Sequence, residues 1–388
     1  MHLRDDMWCI GNRFSIRKNG FVSKCYDFAS KSSNDNWRAG GCDMKLGIIG
    51  TGKIVHEALF AMEEIAEIER TAIFARPKSR EKGEKLAEQY GIGKVYTDYA
   101  ELLSDSGVDC VYIGLVNSAH YPYAKQALLA GVNVILEKPF VSTVAEARDL
   151  ASIAARKGVY CLEAITTLHS KVFEKMTEIL PRLGTLKMAQ CNYSQYSSRY
   201  KKYLAGEIEP AFDPNLSGGA LYDINLYNVY LTIGLLGAPR DAKYFPNLGF
   251  NGIDTSGTAV LCYDGVTAVC TGAKDSDSPS FAIFQGENGW MRLIGKPNVI
   301  EGVDYEFADE TKPPVPNAAG GMSRAMESGK YDAPKMRHRM TQEFMDFARI
   351  VDSRDDAAAA ACLERSVAVM TALETARKSA GIRFAVDA

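Results

Sequence analysis

The chain has 388 residues, 46% of them hydrophobic and 24% charged, with a formal net charge of −3. That balance suits a globular protein with a full core, and the length suits two or three domains. It excludes a basic nucleic-acid footprint, and no apolar run approaches the roughly 18 residues of a membrane span, so neither kind of partner is expected.

Residues 1–43 stand apart. They carry charges throughout, lack the apolar segment of a secretory signal, and include the turn-forming stretch KSSNDNWRAGG. A disordered N-terminal extension is expected, with the folded protein starting near Met44. A start read too early is preferred to a regulatory arm.

From Met44 strands and helices alternate. KLGIIG leads into a helix over 55–65, then RTAIFA, the helix SREKGEKLAEQYG, the short strand KVYTD and the helix AELLSDSG. VDCVYIGLV, the helix AHYPYAKQALLAG and VNVILEKPF follow. Thr143 is placed to cap the helix VAEARDLASIAARKG, and VYCLEA closes the series. Strands separated by helices of this length predict an α/β Rossmann domain, a doubly wound parallel sheet, over 44–165.

After Thr166 the rhythm changes. A helix stopping near Pro181 precedes LKMAQCNYSQY, and the helical run GGALYDINLYNVYLTIGLLG is followed by four alternating runs. Asp264–Gly265 and Gly286–Gly289 mark hairpins. An α+β domain with an open-faced, largely antiparallel sheet is expected over 166–335. Residues 302–334, rich in Pro, Gly and Asp, read as a long loop or lid. Two C-terminal helices, 336–351 and 357–380, should pack back on the body.

Nine cysteines and five histidines are scattered singly, without CxxC or HxxxH spacing. Neither a disulfide framework nor a metal site is expected, and reducing cytoplasm is the expected compartment.

The first strand runs into Gly50-Thr51-Gly52-Lys53-Ile54-Val55. Gly50 and Gly52 supply the tight turn and close backbone approach of a dinucleotide fingerprint, whereas Val55 replaces its third glycine. A plain β–α turn is the alternative. The second strand ends without a carboxylate for a ribose hydroxyl. Arg76 stands there instead, with Ser79 and Arg80 near, either as a solvated basic loop or as ligands of a 2′-phosphate. NADP is therefore expected ahead of NAD.

Ligands of an open parallel sheet lie beyond the carboxyl ends of its strands. Asn117, His120, Glu137 and Lys138 all fall there. In the second half, Asp223 and Tyr227 are four residues apart on one helix face, which Tyr230 continues. A helix-terminal acid beside aromatic packing would explain them equally well.

In this order and spacing, GIIGTGKI, NSAH, EKP and GGALYDINLY resemble the Gfo/Idh/MocA family of nicotinamide-dependent oxidoreductases, over about Met44 to Phe384. The resemblance implies a Rossmann domain and an open-faced sheet domain with the site between them. It also implies a homodimer or larger assembly built on the sheet. Lys138 would contact the nicotinamide ribose and substrate hydroxyl. Tyr227 stands where most members have histidine, which is similar to the branch of glucose–fructose oxidoreductase and dimeric dihydrodiol/xylose dehydrogenase, whose members use NADP. Val116 replaces a common proline. The implied reaction is hydride transfer between nicotinamide C4 and a carbinol or carbonyl carbon of a sugar, polyol or dihydrodiol. Lys138, Tyr227 and Asp223 are the expected catalytic residues, with Lys138 pulling the phenol's pKa down so that it serves as base. Arg199 and its neighbouring tyrosines are candidates for binding substrate, or else an edge strand entering a surface turn. Two rival readings share the fold: a catalytically silent NADP-responsive regulator and a nicotinamide-dependent glycosidase.

Overall fold

The computed structural model describes residues 44–387, so the expected extension at 1–43 lies outside the described residues. The first strands are β1 (Met44–Ile49), β2 (Ile68–Phe74), β3 (Lys94–Tyr96), β4 (Cys110–Ile113), β5 (Asn133–Glu137) and β6 (Cys161–Ala164). They form one sheet in the order β3-β2-β1-β4-β5-β6, and every neighbouring pair is parallel. Every residue of β4 and β5 is buried, as it must be in strands covered on both faces. The connecting helices are α1 (Lys53–Met62), α2 (Arg80–Tyr90), α3 (Tyr99–Asp105), α4 (Asn117–Leu129) and α5 (Val144–Lys157). Thr143 caps α5 as expected, in a full capping box with Glu146. The strand order reverses between β1 and β4, which opens a crevice at their carboxyl ends.

Short helices α6 (Thr166–His169) and α7 (Lys171–Ile179) lead to the second sheet. Its strands are β7 (Leu186–Ser194), β8 (Asp241–Leu248), β9 (Asp254–Cys262), β10 (Thr267–Ala273), β11 (Phe281–Gly286), β12 (Gly289–Lys296) and β13 (Val299–Ala308). The small pair β14 (Val315–Pro316) and β15 (Met322–Ser323) precedes β16 (Met326–Asp332). The eight-stranded order is β16-β13-β12-β11-β7-β10-β9-β8, antiparallel except where β7 and β10 run parallel. Both expected hairpins form.

Two expectations are corrected here. Residues 302–334 are not one long loop: β13 and β16 pair at its two ends, Gly302–Ala308 against Met326–Asp332, and make the sheet's outer edge. Edge strands tolerate exposed charge, so β16 carries no apolar alternation to reveal it. And β7 is a central strand, not an edge.

The helical run over 217–237 begins as a π-turn (Leu221–Asn225) and continues as α9 (Leu226–Leu236) against the inner face of this sheet. Between β7 and this run lies α8 (Tyr200–Leu204). Asn225 is fully buried, and its amide donates to the Cys270 carbonyl at 2.8 Å. The approach is close enough that a Cβ on Gly272 would stand 2.5 Å from the Asn225 Cβ. The chain ends with α10 (Thr341–Asp352) and α11 (Asp356–Ser379). The first adds Phe344, Phe347 and Ile350 to the core around β1 and α1. The second adds Val369, Met370 and Leu373 to the larger core reaching both sheets.

Because Gly272 leaves no room for a methyl group, Gly272→Ala is expected to lower unfolding free energy by about 1–3 kcal/mol in a urea titration. Unchanged stability would mean that the π-turn retreats from β10 at no cost.

Candidate active site

In the candidate phosphate-binding turn, the two glycines hold different positions. Gly50 has φ +119, a conformation other residues avoid, and a Cβ there would meet the Gly114 carbonyl oxygen at 2.7 Å. Gly52 occupies the N-cap of α1 with no side-chain cap, and nothing lies within 4 Å of where its Cβ would be. An uncapped helix N-terminus facing open space fits the pyrophosphate of a dinucleotide. Thr51 and Ile54 are half-buried and Gly52 and Lys53 exposed. The missing third glycine is accounted for on the opposite strand. Val55 is buried, and a Cβ on Gly114, just past β4, would stand 2.8 Å from its Cγ2. The space between helix and sheet is kept by emptying the strand side instead.

Arg76 follows β2, exposed, at the N-cap of a short 3₁₀ turn. Its neighbour Arg80 is tied to Glu84 at 2.8 Å. Val116, which replaces the proline that the resemblance makes common there, has φ −72, within proline's own range.

At the end of β4, the Asn117 amide donates to the Ser217 carbonyl at 2.9 Å, joining the Rossmann half to the loop that carries Gly218 and Gly219. His120 is buried, with Nδ1 2.9 Å from the Pro139 carbonyl and Nε2 3.2 Å from that of Leu115. Burial holds its pKa below the ordinary value, and its two nitrogens serve to fix the corner after β5. Glu137 is buried too. It accepts from the Tyr112 hydroxyl at 2.7 Å and from the Lys138 backbone N–H at 3.2 Å, and burial raises its pKa. The Lys138–Pro139 peptide is cis.

These supports aim Lys138 across the crevice at the second half. Its Nζ donates to Asp223 Oδ1 at 3.1 Å and to the Asp223 carbonyl at 3.2 Å, and it lies 5.1 Å from the centre of the Tyr227 ring. Burial acts against the ammonium, but the surrounding Tyr227, Asp223 and Glu137 outweigh it, and the pKa stands above the usual lysine value. Burial likewise opposes the Asp223 carboxylate, yet Lys274 and Lys138 hold its pKa far below the ordinary range. Asp223 lies within the π-turn, a distortion frequent at functional sites.

Tyr227 is buried and meets the ring of Tyr193 edge-on at 5.9 Å. Its pKa runs opposite to the expectation. Burial raises it, and although Lys138 and Arg339 pull it down they do not prevail. At neutral pH the group is a phenol, placed to give a proton more readily than to take one. Tyr230 leaves the site altogether, donating to buried Glu163. Arg199 is paired with Glu209 at 2.8 Å on a half-exposed surface turn.

Sequence reasoning missed three groups. Lys274, directly after β10, is buried and donates to Asp223 Oδ2. Arg339, just before α10, pairs with Glu57 of α1 at 2.9 Å and pulls on Tyr227, Tyr193, Glu137 and Glu343 alike. Glu343 is 1% exposed, and neither carboxyl oxygen has a hydrogen-bond partner. Isolated charged residues on polar-looking segments gave no periodic signal. A cavity of about 190 Å³ lies beside Arg339, lined also by Thr166, Thr167, Asn298, His338 and Gln342.

Residues 44–164 match the model of the oxidoreductase family with the NAD-binding Rossmann fold, GFO_IDH_MocA. Over 344 residues the chain is 30% identical to a scyllo-inositol 2-dehydrogenase (NADP(+)) of Bacillus subtilis, covering 89% of this chain and 99% of that protein. The chain belongs to the Gfo/Idh/MocA oxidoreductase family. It is accordingly an NAD(P)-dependent oxidoreductase. A D-xylose 1-dehydrogenase (NADP(+)) of Haloferax volcanii is 29% identical over 258 residues, 66% of this chain and 76% of its own. Among solved structures, a 3-ketoreductase from Actinomadura kijaniata with NADP and TDP-benzene superposes with a TM-score of 0.70 at 21% identity. It covers 87% of this chain and 98% of its own. An Agrobacterium radiobacter oxidoreductase bound to NAD+, L-tartaric acid and magnesium gives 0.67 at 15%, covering 88% and 97%. Both share the two-sheet architecture of this Gfo/Idh/MocA chain.

Burial, then Glu137 and Asp346, push the Glu343 pKa well above the carboxylate range, while Arg339 opposes them. The folded state therefore keeps this proton to higher pH than the unfolded chain does. The stability it contributes is full below about pH 4.3 and is lost as pH rises. Glu343→Gln, neutral at every pH, should raise the melting temperature at pH 8 and change it less at pH 5. A gain that did not depend on pH would mean that Glu343 does not titrate in this way.

Proposed function

We propose that the protein is an NADP-dependent oxidoreductase that moves hydride between nicotinamide C4 and a carbinol or carbonyl carbon of a sugar, polyol or dihydrodiol. One observation carries the reading. Lys138, delivered by the Rossmann sheet, is held by Asp223 beside the Tyr227 ring of the other half. A half-buried ammonium and a buried phenol meet where the cofactor crevice opens.

When bound, the nicotinamide gives or takes the hydride. The protein's own groups manage the proton and the charge. In reduction, Tyr227, protonated at neutral pH, donates to the carbonyl oxygen. Lys138 steadies the negative charge developing there, in a site where low dielectric strengthens its effect. In oxidation the same phenol must first lose its proton, so the rate should climb with pH. Asp223 remains ionised throughout and keeps Lys138 in place. For the cofactor, exposed Arg76 at the end of β2, with no carboxylate there, supports NADP. The two relatives named for NADP(+) activity lean the same way.

Proton transfer of this kind is worth about 10²–10⁴ in rate. Tyr227→Phe is therefore expected to lower turnover by about that factor on whichever of scyllo-inositol, D-xylose or trans-1,2-dihydrobenzene-1,2-diol is oxidised with NADP⁺. NADPH affinity by fluorescence titration should stay within a few-fold. Full activity in Tyr227→Phe would remove it from the chemistry. Arg76→Ala should weaken NADPH binding by about tenfold or more and leave NADH unchanged. Equal weakening of both would contradict the 2′-phosphate assignment.

A further inference from the structure

Resting on that reading of Tyr227 and Lys138, we propose that Lys274 is a positioning residue for hydride transfer. It holds Asp223 by Oδ2, so that the carboxylate can align Lys138 without cancelling the lysine's charge toward Tyr227.

The argument begins with the divided carboxylate. Lys138 takes Oδ1 and, at 3.2 Å, the main-chain carbonyl of the same residue, while Lys274 takes Oδ2. The Lys274 side chain is 4% exposed, and its ammonium lies 4.9 Å from the centre of the Phe212 ring. Its backbone is pinned on both sides: the N–H donates to the Thr255 carbonyl at 2.8 Å, and the carbonyl accepts from Ser197 N–H at 2.8 Å. A buried ammonium held this firmly is a built feature of the site, and burying it unpaired would be prohibitive.

With Lys138 alone, Asp223 would form a neutral pair, and the attraction that orients the lysine would also quench it. With Lys274 present, two ammoniums share one carboxylate, and a surplus positive charge remains beside the phenol. Arg339, before α10, adds to it. Glu137 on β5 and Asp223 itself oppose it, and Tyr193 on β7 packs against the ring as a neutral phenol, its pKa pushed up to about 12 by burial and by Tyr227. Removing Lys274 takes away one cation and frees the full charge of Asp223. Both changes disfavour the phenolate, so the rise of oxidation rate with pH must move to higher pH.

Two readouts test this. The first needs no substrate. In a thermal double-mutant cycle, Lys274→Met should lower the melting temperature by several degrees in the wild-type background and leave it unchanged or raise it in Asp223→Asn, where the ammonium is already buried without its carboxylate. An equal loss in both backgrounds would make Lys274 a packing residue and overturn the proposal. The second is the pH profile of kcat for NADP⁺-dependent oxidation of whichever polyol in the panel is turned over. Lys274→Met should shift the rising limb upward by about one pH unit, a tenfold loss at neutral pH, with KM changed less than threefold. Lys274→Arg, which keeps the charge, should restore the limb. Lys274→Gln serves as the neutral variant should the methionine variant not fold. A limb that stays in place in folded Lys274→Met or Lys274→Gln, or that moves as far in Lys274→Arg, would overturn the role assigned to Lys274. A limb that persists in Tyr227→Phe would instead sink the assignment of the phenol, whatever Lys274 does.

Discussion

An ammonium brought out of water at the end of a buried strand must be met by negative charge or oriented dipoles, and much of this molecule is arranged around that demand at Lys138. The Rossmann half does not meet it alone: Glu137, next to Lys138 in the chain, is occupied with Tyr112, and burial raises its pKa. Compensation comes from Asp223, which belongs to the other half and lies in the π-turn that begins its helical run. The chemistry thus depends on the two halves being held in one register.

That register is kept by polar links at the same seam. The Asn117 amide reaches the Ser217 carbonyl, the Ser217 hydroxyl donates to that of Ser142, and Glu374 of α11 accepts from the Val144 N–H at the start of α5. Short directional bonds fix orientation more narrowly than apolar contact does. Apolar packing does the remaining work, since α11 places Val369 and Leu373 in a core to which both sheets contribute.

Much of this could be read from the chain. Gly50, Gly52 and Lys138 could be picked out because they stand past strand ends, where a glycine or a charge breaks the apolar pattern, and Asp223 and Tyr227 because their four-residue spacing puts them on one face of an apolar helical run. Elsewhere the pattern was silent for physical reasons. β16 lies at a sheet edge with charged residues facing solvent, so nothing in its alternation set it apart from a loop. Lys274 and Arg339 stand just outside regular elements, and their importance comes from partners 51 residues away in one case and from a helix near the other end of the chain in the other. The direction of the Tyr227 pKa was also beyond the sequence. Neighbouring cations can be guessed from motifs, but the depth of burial that outweighs them is a property of the assembled fold.

The exchange between Val55 and Gly114 changes what the glycine fingerprint means. The third glycine stands for a clearance between helix and strand, and clearance is a joint property of two positions roughly sixty residues apart. In this chain the side chain sits on the helix and the vacancy on the strand. A pattern that inspects one position would score the turn as defective, whereas a paired criterion would score it as complete. Transplanting either residue by itself into a relative with the opposite arrangement would leave two side chains competing for one space, or leave the space empty.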